Sequence, residues 1–214
     1  MPRTRSWLYG STIFLSSFVL FLIQPVFAKL ILPWFGGSAA VWTTCLVFFQ
    51  GALVAGYGYS YFVTKRLRPM RQALLHGVLL AAAIAILPAA ILAFPWNPRW
   101  GFGWSPVPDF TLHPAAQILS ILTVSIGLPY ILLSATAPLL QDWYAHGAGW
   151  RDADIESRLE LRPYRLYALS NAGALLALIA YPAWIEPRWT THFQERLWST
   201  GFMIFAALCA VTGV

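Results

Sequence analysis

Four polar side chains stand inside otherwise apolar stretches of the chain: Gln24, Lys29, Gln50 and Asn171. Away from water such groups are expensive to hold, so each is a candidate for ligand binding. An amide both donates and accepts a hydrogen bond, and an ammonium can hold an anion. Gln24 lies eight residues from the end of the first apolar stretch, and Gln50 lies eleven from the adjoining end of the second. At 1.5 Å rise per residue, their depths differ by roughly 4–5 Å. That match predicts an interhelical amide pair, or two amides facing one cavity. Lys29 stands level with Trp42 and Thr43, where it either snorkels toward the headgroups or holds an anionic group. Asn171 sits near the start of the fifth stretch, as a cap or a crossing hydrogen bond.

None of the usual catalytic constellations is legible, and the catalytic, metal and cofactor assignments are all none. His76, His113, His146 and His192 fall on different sides of the expected topology, and two ligands on one side fall short of a closed zinc site. Gly101-Phe-Gly103 lies in a proline-broken segment with no helix after it, so it cannot cradle a nucleotide as a strand–turn–helix does. Cys45 and Cys209 both fall in apolar stretches, which argues against a disulfide framework. The carboxylates are assigned to loops. Asp152, Asp154, Glu156 and Glu160 alternate with Arg151, Arg158 and Arg162, as on a solvated or domain-docking surface.

Residues this sparse in charge need a bilayer to position them. Of the 214 residues 58% are hydrophobic and 10% charged, and mean hydropathy is +0.62. Such a chain cannot cover a soluble domain with solvated groups. The net charge of +6 resides in short clusters between apolar runs, so it signals topology rather than a nucleic-acid partner. The expected fold is an all-α membrane protein, a single polytopic bundle of six transmembrane helices. The spans are expected at 7–32, 39–63, 73–94, 115–140, 166–185 and 197–214, with no Asp or Glu inside them.

With the N-terminus in the cytoplasm, Arg3, Arg5, Lys65, Arg66, Arg68, Arg71, Arg151, Arg158, Arg162 and Arg165 lie inside, and only Arg99, Arg188 and Arg196 lie outside. That asymmetry sets the orientation, and the expected location is the inner, cytoplasmic membrane. The outer segment 95–114, with Trp96, Trp100 and Trp104 among its prolines, reads as an interfacial cap. Val26-Phe27-Ala28 resembles a signal-peptide cleavage site, but the apolar run before it is too long, and an uncleaved first helix is expected. Ala52, Gly56 and Ser60 form a small-residue stripe suited to close helix packing, repeated by Ser170, Gly173, Ala174 and Ala177. Pro25, Pro88 and Pro129 are expected to kink their helices.

Three stretches are distinctive together: 29–45 (KLILPWFGGSAAVWTTC), 127–138 (GLPYILLSATAP) and 163–173 (PYRLYALSNAG). They resemble the N-terminal membrane region of the integral-membrane spermidine-synthase-like family, a major-facilitator-like half fused to a spermidine synthase domain. The resemblance implies a downstream catalytic domain whose cofactor motif is missing here, and it marks the chain as a fragment of a longer protein or a stand-alone membrane half. The implied function is to anchor, or supply a binding site for, that catalytic domain. The chain alone is then expected to catalyse neither aminopropyl nor methyl transfer. Two alternatives are half of a secondary transporter for a small organic solute, and an accessory subunit of a larger complex. The segment 58–71 is similar to the inner loop motif of major-facilitator proteins, but it lacks the motif's acid. The expected partners are the lipid bilayer and either the downstream domain or a second copy of the chain.

Overall fold

A computed structural model describes residues 3–92, 113–147 and 164–213. Every regular element in it is helical: α1 (Arg3–Phe35), α2 (Ala39–Arg66), α3 (Pro69–Leu92), α4 (Pro114–Leu122), α5 (Leu128–Gly147), α6 (Tyr164–Ala180), α7 (Glu186–Arg188) and α8 (Thr191–Thr212). A π-helical turn, Thr123–Gly127, joins α4 to α5, and a second, Tyr181–Ile185, joins α6 to α7. Among the described residues the result is six helical rods. Five of them are long and apolar enough to cross a membrane.

The rods end where local chemistry stops them. Gly36 ends α1 with φ 75°, a left-handed geometry that glycine adopts without a Cβ penalty, and its N–H donates to the Leu32 carbonyl. Two residues later Ser38 caps α2, its hydroxyl accepting from the Val41 N–H. Pro33 is therefore inside α1 rather than in the connection. Each π-turn has a proline whose missing N–H interrupts the regular ladder, Pro129 just after the first and Pro182 within the second.

The interior is apolar, as in a soluble domain, but so is much of the surface. Val47, Val54, Phe62, Leu74, Val78, Leu175, Ile179 and Val211 all face outward. An apolar surface this extensive matches hydrocarbon, not water. Inside, α1 is the most enclosed of the candidate spans and packs on α6, α8 and α5; α2 lies mainly on α5 and α4; α3 fits between α5 and α8. The interhelical seams are close. A Cβ at Gly56 would clash with the Ser134 hydroxyl and come within 2.6 Å of the Ile131 carbonyl, and one at Gly173 would lie 2.5 Å from the Phe14 carbonyl. Ala52, Ser60 and Ala177 are buried along the same seams, and Ser17 and Ser170 share a hydrogen bond of 2.7 Å.

Two expectations are corrected. The last helix begins at Thr191, not Leu197, so Glu195 lies in its second turn and is 6% exposed. Glu186 and Asp142 are helical too, in α7 and α5, so the carboxylates do not all lie in loops. Hydropathy hides these helix ends because polar residues are tolerated there while the backbone stays helical. The Trp-rich segment and the acids at 152–160 lie outside the described residues.

Candidate functional site

Below, the end of the bundle carrying Phe35, Ser38 and Arg188 is the Phe35 end, and the other is the Lys65 end. A cleft of about 320 Å³ opens near the Phe35 end between α1, α2 and the fifth rod. Gln24, Pro25 and Ala28 form its floor; Trp42, Cys45 and Phe49 line one wall, and Leu178, Tyr181 and Pro182 the other.

Gln24 is held by α5, not α2. Its Nε2 donates to the Tyr130 hydroxyl at 2.9 Å, and Tyr130 is itself fixed against Phe49, with ring centroids 5.3 Å apart. The expected Gln24–Gln50 pair is absent. Phe49 turns inward to Tyr130, and Gln50, one position and about 100° further round the helix, is exposed. A tight connection made α1 and α2 antiparallel, but α2 found its main packing partner in α5. Asn171 is likewise exposed on α6.

Lys29 has a counterion within the chain. Its Nζ lies 2.9 Å from Glu186 Oε1, and the side chains are 38% and 41% exposed. The second π-turn creates this meeting. The Glu186 N–H donates to the Tyr181 carbonyl, a five-residue step that stands Glu186 one turn beyond Tyr181 toward the Phe35 end. Lys29 then bridges from α1 to the same seam. At this exposure the pair contributes on the order of 1 kcal/mol or less to stability, but it fixes one charge of each sign above the cleft.

Tyr181 completes the site and was not singled out from sequence. The residue is 5% exposed, and its hydroxyl is enclosed with no hydrogen-bond partner among the described residues. Burying an O–H unpaired costs roughly 1–3 kcal/mol, so this hydroxyl is matched to an acceptor beyond the described residues. The sequence signal was Tyr-Pro, which places an aromatic hydroxyl on the irregular turn that Pro182 creates.

A second polar cluster lies toward the Lys65 end. His76, 1% exposed, contacts Thr136 Oγ1 through Nε2 at 3.2 Å and Tyr59 Oη through Nδ1 at 3.4 Å. The Thr136 hydroxyl donates its single proton to the Leu132 carbonyl at 2.7 Å. His76 Nε2 must therefore be the donor to Thr136, which leaves Nδ1 to accept from Tyr59. Beside it Trp143 Nε1 donates to Gln72 Oε1 at 2.6 Å, and Gln72 Nε2 donates to the Leu67 carbonyl at 2.8 Å. Gln72 and His76 stand at i and i+4 on α3, a spacing visible in the sequence. Both clusters join three elements, but the His76 cluster pairs its polar side chains internally, whereas beside the cleft the buried Tyr181 hydroxyl has no partner among the described residues. Among the described residues no group of three metal-ligating side chains converges.

No family model, curated protein or solved structure matches the chain.

Proposed function

We propose that this chain is an integral membrane domain that anchors a spermidine-synthase-like catalytic domain lying outside it and supplies that domain with a ligand site. The observation that carries the binding role is the cleft at the Phe35 end, whose otherwise apolar lining holds Gln24 and Tyr181. The catalytic partner rests on the resemblance of segments 29–45, 127–138 and 163–173. The domain lies in the inner membrane with its N-terminus cytoplasmic, because Lys65, Arg66, Arg68, Arg71 and Arg165 gather at one end of the bundle. The cleft then opens in the outer half of the bilayer.

The exposed amides Gln50 and Asn171 favour a second reading, in which two copies of the bundle pair as halves of a carrier and cover those groups. One experiment separates the two. An antibody to this chain, used on solubilised native membranes, is expected to recover a catalytic domain with a cofactor-binding fold, joined to the chain or bound to it. Recovery of a pair of copies without such a domain supports the carrier, and recovery of a lone 23.9 kDa chain overturns both.

A further inference from the structure

We infer that a groove at the Lys65 end of the bundle binds an anionic glycerophospholipid, with an acyl chain between α6 and α8 and the phosphate on Arg165. The groove lies at the opposite end from the cleft, and its occupant does not depend on what the cleft holds. Both α6 and α8 pack on α1 but far less on each other, which leaves a furrow of about 570 Å³ with α1 as its floor. Gly10 and Phe14 form that floor, Leu169 and Leu208 the two walls. Along α1 the lining runs from Trp7 to Leu15, a rise of ~12 Å at 1.5 Å per residue. One leaflet supplies about half of a ~30 Å hydrocarbon core, so the furrow has the depth of most of one acyl chain's layer.

Arg165 lines the same furrow and supplies its charge. The apolar spans of α1 and α6 begin at Trp7 and Arg165, so the indole and the guanidinium stand at headgroup level while the furrow below them runs in hydrocarbon. Arg165 is exposed and forms no ion pair with a described side chain, which leaves its N–H fork for a phosphate. Ser11, the other polar residue of the lining, donates its proton to the Leu8 carbonyl and adds no donor. Among the described side chains this end carries Lys65, Arg66, Arg68, Arg71 and Arg165 against one carboxylate, Asp142. That surplus selects a headgroup of net negative charge over a zwitterionic one. A soluble phosphate ester would satisfy Arg165 but could not fill the apolar furrow, whereas a phospholipid does both.

The test is native mass spectrometry of the delipidated full chain in detergent, titrated with dioleoyl phosphatidylglycerol, dioleoyl phosphatidylcholine and glycerol 3-phosphate. Wild-type protein is expected to retain phosphatidylglycerol about fivefold better than phosphatidylcholine, and Arg165→Gln to lose that preference. Arg68→Gln removes the same charge from the same end but outside the groove, and it should keep most of the preference. Ser11→Phe puts a ring into the furrow without altering a charge, and it should weaken retention of both lipids severalfold. Ser11 is exposed and its hydrogen bond is local to α1, so that variant is expected to unfold at the wild-type temperature. Equal retention of the two lipids by wild type, the same loss of preference in Arg68→Gln as in Arg165→Gln, or retention indifferent to Ser11→Phe overturns the inference. Glycerol 3-phosphate held as tightly as phosphatidylglycerol overturns the lipid as the occupant.

Discussion

Gly173→Ala is expected to destabilise the bundle by about 1–3 kcal/mol, the usual cost of overpacking, because the new methyl meets backbone that cannot rotate away. It would lie 2.5 Å from the Phe14 carbonyl oxygen and 3.3 Å from the Phe18 nitrogen, so α1 and α6 must separate to admit it. Separation also strains the Ser17–Ser170 hydrogen bond on the same seam. Gly51→Ala is the matched control. Nothing lies within 4 Å of a Cβ there, and alanine's helix propensity makes that change neutral or stabilising by up to about 1 kcal/mol. Thermal unfolding in detergent reads both. A Gly173→Ala protein as stable as Gly51→Ala would mean that α1 and α6 do not meet as described.

His76→Leu is the second large effect. The substitution keeps the apolar bulk, but it strips the acceptor from the half-buried Tyr59 hydroxyl and the donor from the fully buried Thr136, which keeps its own bond to the Leu132 carbonyl. A single interhelical hydrogen bond within a membrane is worth only ~0.6 kcal/mol on average, yet leaving buried polar groups unpaired costs roughly 1–3 kcal/mol. The second term dominates. A double-mutant cycle with Thr136→Val isolates the pair: destabilisation by both changes together should fall short of the sum of the two. Strict additivity would place His76 and Thr136 out of contact.

How much of this was legible in the sequence depends on the length scale. Apolar runs gave the six rods, because a helix is the form in which such a run can satisfy its backbone inside lipid. Helix ends were less legible. Glu195 and Arg196 read as a loop, and Gln72 and Trp143 fell just beyond the expected spans, although both end in the His76 cluster. Pairings were least legible. Gln24 and Gln50 match in depth, but depth carries no information on the angle about the helix axis. That angle turned Gln24 to Tyr130 and Gln50 outward. Lys29 was recognised as a cation near the boundary, whereas its partner Glu186 lies 157 residues away and is aligned by a π-turn. Pro129 is legible as an interruption of a long apolar run, whereas Pro182 lies near the end of its run, where a break in the helix leaves no mark in hydropathy.

The central claim, that the cleft beside Tyr181 holds a ligand, is tested most directly by photocrosslinking in native membranes. A benzophenone amino acid is placed at Leu46 or Leu178 on the cleft rim, and at Val54, which is 67% exposed on α2 and away from the cleft. After irradiation, mass spectrometry identifies what is attached. The account expects one small-molecule species enriched at Leu46 and Leu178 over Val54, with the enrichment reduced in Gln24→Leu, which changes a polar residue of the lining. The same unselective adducts at all three positions, indifferent to Gln24→Leu, would contradict it.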